Sequence, residues 1–196
     1  MNNDINFSLA DPWSVMCCLV PIVLNNIRGC VVEIGIGLST HILVSNAERF
    51  GVKYYGCDQQ EKRCDRYRSY FKYRNAKIIH SISLDFMEAF SDNPAIVLLD
   101  GDHRYKTVSK EVEFFSNLLL PGGVMFLHDT LMNMKWIKDT NVKKSESRMK
   151  YTAYLARRDI ENNRNFWSIT FPYTAWNCGL TVAMKKQTKE EFYGGL

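Results

Sequence analysis

Short stretches in which apolar and β-branched residues crowd together alternate along the chain with segments in which apolar residues recur every three or four positions. Residues 30–34, 53–57, 77–79, 95–99 and 124–127 belong to the first kind. They are too short for buried helices and stop at Gly35, Asp58, His80, Asp100 and His128, polar or turn-forming residues as at the ends of buried parallel strands. The second kind reads as helices. Residues 12–27 form an uncharged opening helix with Asp11 as N-cap and Pro12 at the first helical position. Ile42, Leu43, Ala47 and Phe50 give 40–50 helical spacing, and 60–71 is a charged helix. A helical turn covers 86–90, and the helix over 108–120 stops at Pro121-Gly122-Gly123. Two more strands, 166–171 and 180–184, follow with no helix between them. The alternation predicts an α/β fold: a doubly wound, mostly parallel seven-stranded sheet with helices on both faces and a final antiparallel strand.

Composition narrows the class without changing that picture. The 196 residues, 46% hydrophobic and 23% charged, suit one globular domain over 1–196, opened by a helical segment at 1–28. No repeat or second domain interrupts it. Six cysteines lack zinc or C-x-x-C spacing, and several stand in apolar runs, where they act as small hydrophobes. Residues 1–11 carry acids and amides rather than a basic leader region, and 12–27 is too short and interrupted to span a bilayer. A cytoplasmic protein with no membrane partner is the expectation. A formal charge of +4 selects no partner by itself.

Glu33-Ile34-Gly35-Ile36-Gly37-Leu38-Ser39-Thr40 places glycines at a strand-to-helix turn, outside the carboxyl end of a strand, where open α/β sheets bind ligands. Glu33 would repel a pyrophosphate but welcome an ammonium. Thr40 takes the place of the third glycine of G-x-G-x-x-G, so a nicotinamide-dependent oxidoreductase is the disfavoured rival. Asp58 closes the next strand, followed by Gln59, and a carboxylate there can accept both hydroxyls of a ribose.

This segment resembles motif I of the class I S-adenosylmethionine methyltransferases, a Rossmann-like family. The resemblance implies that Glu33 meets the methionine amino end of the cofactor. Gly35, Gly37 and Ser39 would line the cofactor, and Asp58 with Gln59 would hold its ribose. Ser81-Ile82-Ser83-Leu84-Asp85-Phe86 falls where the family often touches adenine, which gives Asp85 the role of the adenine-side acid.

Two polar clusters end adjacent apolar strands: Asp100-Gly101-Asp102-His103 and His128-Asp129-Thr130. Both project over the same sheet edge as the glycine loop. Carboxylates and imidazoles gathered there mark a catalytic site, since burial is costly for them unless they are paired or bind metal. With Leu120-Pro121-Gly122-Gly123 between them, the clusters are similar to those of small-molecule and sugar O-methyltransferases over about 31–130. That resemblance implies a divalent cation, Mg²⁺ or Mn²⁺, on Asp100, Asp129 and His128, although His128 departs from the Asp, Glu or Asn usual at its position. It also implies Asp100 beside the cofactor and His103 as general base, an imidazole suited to proton transfer near neutrality. The implied reaction carries the sulfonium methyl group in line to a hydroxyl of a small, sugar-like or anionic acceptor. A non-catalytic S-adenosylmethionine-binding module is the third reading, disfavoured because both clusters are intact.

Residues 131–165 hold the chain's basic excess and are expected to form a lid or insertion. The absence of an aromatic-basic stacking module disfavours nucleic acid as a partner. Trp136, Trp167 and Trp176 are candidate walls of an acceptor pocket. A homo-oligomer is left open.

Overall fold

The computed structural model describes residues 12–131, 153–172 and 179–187. Seven strands form one sheet: β1 (Cys30–Ile34), β2 (Tyr54–Asp58), β3 (Ala76–His80), β4 (Pro94–Leu99), β5 (Val124–His128), β6 (Phe166–Phe171) and β7 (Leu180–Lys185). Their order is β3-β2-β1-β4-β5-β7-β6. All pairings from β3 to β5 are parallel, and β7 runs antiparallel to both of its neighbours. The seven-stranded doubly wound sheet with its antiparallel strand is therefore the architecture the alternation predicts.

Helices α1 (Pro12–Asn26), α2 (Ser39–Phe50), α3 (Glu61–Tyr70), α4 (Ser83–Ala89), α5 (Tyr105–Leu118) and α6 (Ala153–Asn162) connect or flank the strands. The central strands β1 and β4 are buried at every position, because both faces are covered. On one face Val31, Ile96, Leu98 and Phe126 pack with Met16, Val20 and Leu24 of α1 and Leu43 and Val44 of α2. On the other, Val32, Val97, Met125 and Leu127 meet Phe86 of α4, Phe115 of α5 and Ala156 of α6.

Three boundaries differ from the sequence expectation. Helix α4 begins at Ser83 rather than Phe86, one turn earlier. Helix α5 begins at Tyr105 because Asp102 accepts the Arg104 N–H at 3.0 Å and the Thr107 hydroxyl at 2.8 Å, which satisfies polar groups of the first turn. Of the segment expected as a lid or insertion, 153–162 forms α6, with Ala153, Ala156 and Ile160 buried in the core. Residues 132–152, with Trp136 and six of the basic residues, lie outside the described residues, as do Trp176 and the proposed cap Asp11. Trp167 is exposed on edge strand β6 beneath the Lys186 ammonium. Among the described residues no helix is long and apolar enough to cross a membrane.

Candidate active site

The strand order reverses between β1 and β4, and their carboxyl ends part there into a crevice, where open α/β sheets bind ligands. Gly35 turns the chain out of β1 with φ at +86°, and a Cβ on it would lie 2.2 Å from the Asp100 carbonyl oxygen. Only glycine fits there, since both the positive φ and the close approach to β4 exclude a side chain. Gly37 is different. It has an ordinary φ, and a Cβ would meet nothing within 4 Å, so the protein's own packing does not demand glycine.

Glu33 does not face the crevice. It is fully buried and accepts the hydroxyls of Ser39 and Tyr54. Burial pushes its carboxyl up to about 7, opposed by hydrogen bonds from Ser39, Tyr54 and Thr40. Its place is thus beneath the glycine loop, tying the start of α2 and strand β2 to β1. Ser39 is consumed in the same contact and is itself buried. The loop is tightened further where the Gly37 N–H donates to Thr40 Oγ1 at 2.9 Å.

Helix α3 holds the loop from outside. Tyr67 donates its hydroxyl to the Gly37 carbonyl at 2.7 Å, and Arg63, one turn earlier on the same face, reaches the Ile36 carbonyl at 3.3 Å. The same Arg63 Nη1 pairs with Asp58 Oδ2 at 2.9 Å, while Asp58 Oδ1 accepts the Gln60 N–H at 2.7 Å. Asp58 is therefore buried, fixed in direction and partnered on both oxygens.

A cavity of about 180 Å³ opens along this edge. Gly35, Asp58, Gln59 and Asp100 line it, together with Arg63 and the 81–84 segment. Asp85, expected to face an adenine, is exposed on α4 and outside that lining.

Beside the cavity mouth the second cluster closes into a chain of contacts. His128 Nδ1 lies 2.9 Å from Asp100 Oδ1 and 3.3 Å from Asp129 Oδ1, and His103 Nε2 lies 3.4 Å from Asp129 Oδ2. All four side chains are partly exposed, so water or a substrate can reach them. Asp129 adopts a left-handed backbone with φ of 55°, a costly conformation for a residue with a side chain and one that concentrates at functional sites. The indole of Trp13 on α1 stacks on the His128 ring, centroids 5.4 Å apart and nearly coplanar in orientation. Asp102 stands apart from the chain. Burial works against its ionisation, but Arg104 and Thr107 hold its carboxyl below the usual range, so its work is at the start of α5.

The structure places Asp100, His103, His128 and Asp129, expected at one sheet edge, in one chain of contacts, and adds Arg63, Tyr67, Tyr54 and Trp13, which the sequence does not single out. The i,i+4 spacing of Arg63 and Tyr67 on a helix following the acid was the available signal. Cys30 and Cys57 are poor nucleophiles: burial pushes their thiols up to about 12.

A family model described as a methyltransferase domain matches residues 32–130. No curated protein matches the chain in sequence. Solved structures resemble it closely in shape. The O-methyltransferase from Bacillus cereus in complex with SAH aligns with a TM-score of 0.68 at 18% identity, over 92% of this chain and 85% of that one. The O-methyltransferase TomG from Streptomyces achromogenes, involved in tomaymycin synthesis and bound to SAM, gives 0.64 at 13% identity, over 88% and 78%. An rRNA methylase from Streptococcus thermophilus gives 0.62 at 14% identity, over 90% and 98%. At such identities the likeness establishes the fold.

Proposed function

The chain belongs to the methyltransferase-domain family, and from that premise we propose that it transfers the methyl group of S-adenosylmethionine to a hydroxyl of a small acceptor. One observation carries this reading: the cavity at the strand-order reversal runs between Asp58 and Asp100, and the Asp100–His128–Asp129–His103 chain stands at its mouth. Asp58 is the ribose ligand. Each of its oxygens keeps a lone pair after accepting Gln60 and Arg63, enough for two ribose hydroxyls. Gly35 and the open side of Gly37 let the cofactor approach the backbone. The bound cofactor supplies an electrophilic methyl group.

The acceptor side belongs to His103 and Asp129. With Asp129 facing Nε2, the proton on His103 is held at that nitrogen, and Nδ1 is then the basic nitrogen that takes a proton from an acceptor hydroxyl. The 3.4 Å separation is longer than a good hydrogen bond, as such contacts often are before substrate binds. A carbon–oxygen bond forms as the carbon–sulfur bond breaks, and the hydroxyl proton passes to His103. Trp13 and His128 wall the acceptor side, and alignment of oxygen with the methyl carbon supplies much of the rate.

Asp100, His128 and Asp129 are donors that could take a divalent cation, with His128 favouring a transition ion such as Mn²⁺ over Mg²⁺. Their arrangement does not fit one as it stands. His128 Nδ1 lies within 3.3 Å of an oxygen of each carboxylate, and among the described residues no group of three His, Cys, Asp or Glu is placed to hold an ion. Mass spectrometry of products against a panel of hydroxylated sugars and phenols tests the function directly. Methyl transfer should persist after exhaustive chelation, and activity lost to a chelator and restored by Mg²⁺ or Mn²⁺ would reinstate the ion.

A further inference from the structure

Residues 61–77, over α3 and the turn into β3, form a second basic stretch: seven Lys or Arg against two acids, in a chain whose net charge is only +4. Some of this charge is neutralised or covered within the protein. Arg63 pairs with Asp58, Arg68 pairs with Asp65, and Lys77 lies over the Tyr55 ring. Lys62, Arg66, Lys72 and Arg74 are exposed, and none of them forms an ion pair with another described residue. Aromatic rings interleave with these cations. On α3, Arg63, Arg66, Tyr67 and Tyr70 have the i, i+3, i+4, i+7 spacing of one helix face. That face meets His41 of α2, whose ring centroid lies 5.8 Å from Tyr67 and 5.0 Å from Tyr70. Tyr70 is braced nearly perpendicular to His41 and at a steep angle to Phe71, yet it is 68% exposed.

A ring held in place at the surface, among cations without carboxylate partners, suits a ligand that presents flat faces and negative charges at short intervals. Single-stranded nucleic acid does so, its bases stacking on exposed rings while its phosphates meet Lys and Arg. A duplex keeps its bases stacked inside and would use the cations alone, and an acidic peptide would leave the ring unused. A lipid surface asks for a continuous apolar helix face, which Arg63 and Arg66 interrupt on α3. We propose that the α3 face of Arg66, Tyr67 and Tyr70, flanked by Lys62, Lys72 and Arg74, is a docking surface for single-stranded nucleic acid. The aromatic-basic surface expected from sequence to be lacking is thus present on this helix. Of the residues on that face only Arg63 lines the cavity, so the inference is independent of what the cavity binds.

Fluorescence anisotropy tests it with a labelled oligothymidylate of about a dozen nucleotides, a length that single-strand sites accommodate. The wild-type protein should bind this strand more tightly than the matching thymidylate–adenylate duplex. With about four phosphate contacts, affinity should fall about 50-fold between about 50 and 200 mM salt. Tyr70→Ala, shown by circular dichroism to be folded, should weaken binding about five- to a hundredfold, and Tyr70→Phe should retain it, since the ring face and not the hydroxyl is used. Arg66→Ala should weaken binding and flatten the salt dependence by about one contact. S-adenosylhomocysteine at saturation should leave the strand bound. Wild-type affinity in folded Tyr70→Ala or in Arg66→Ala overturns the inference, as does a duplex bound as tightly as the strand. Absence of binding by the wild-type protein at low salt overturns it too. Displacement of the strand by S-adenosylhomocysteine would put the strand in the cavity and not on α3. Binding of phosphatidylserine–phosphatidylcholine vesicles in place of the strand, lost in Tyr70→Ala, would give the surface to a membrane instead.

Discussion

Burial pushes the carboxyls of Glu33 and Glu111 to about 7, well above the ordinary glutamate value. Between that ordinary value of about 4.5 and 7 the native state holds more protons than the unfolded chain. Stability therefore falls as pH rises through this window and levels off above it. A shift of this size corresponds to up to about 3 kcal/mol per group. Glu111→Gln should remove one of the two contributions, so urea unfolding at pH 5 and pH 8 should show a smaller difference than in the wild type. An unchanged difference would mean that Glu111 is solvated. At His103 the expected change is kinetic: His103→Ala should lower turnover by about 10²–10⁴-fold, the usual share of a positioned base, with S-adenosylhomocysteine affinity nearly unchanged. Stopped turnover with lost cofactor affinity would instead make His103 a structural part of the loop. Residue chemistry was partly legible in the sequence. Asp58, Asp100, His103, His128 and Asp129 follow strand ends, where side chains gather at one edge. Glu33 was legible as a strand-end acid, but its direction was not. Strand alternation decides which face a side chain takes, and only the partners Ser39 and Tyr54 show that this carboxyl supports the loop from below.

Among elements, the glycine loop separates what the fold requires from what a ligand requires. Gly35→Ala should cost at least about 1–3 kcal/mol from backbone strain alone, with a collision against β4 added, and should lower the melting temperature or prevent folding. Gly37→Ala meets only open space, so the fold should survive while S-adenosylhomocysteine affinity falls. Equal melting temperatures for the two variants would contradict this division. Helix α3 clamps the same loop, and loss of the Tyr67 hydroxyl in Tyr67→Phe should weaken cofactor binding about three- to tenfold with the helix content unchanged. Apolar periodicity made these elements visible to within a turn. It did not show the earlier start of α5, where the Asp102 carboxylate ties Arg104 and the Thr107 hydroxyl together in a turn with little apolar pattern. Nor did it reveal that 153–162 packs in the core, because the basic residues of that stretch suggested a solvated surface.

For the molecule as a whole, strand alternation with a final uncrossed pair was enough to read the doubly wound sheet, since parallel strands need crossover helices and an antiparallel one does not. The sheet order then fixes the position of the crevice, and the crevice gathers the glycine turn after β1 and polar groups from β2, β4 and β5, up to about a hundred residues apart in sequence. Acceptor identity was not legible, because the wall opposite the cofactor is built by side chains such as Trp13 whose approach to His128 depends on how α1 docks. The claim on which the account stands is that this crevice binds the adenosyl cofactor through Asp58. Isothermal titration calorimetry with S-adenosylhomocysteine tests it most directly, on the wild-type protein and on Asp58→Ala shown by circular dichroism to be folded. The wild-type protein should bind one equivalent, and the variant should bind at least about tenfold more weakly, as the loss of charged hydrogen bonds to a ribose implies. A folded wild-type protein that gives no heat of binding at saturating ligand, or a variant that binds as tightly as the wild type, would contradict it.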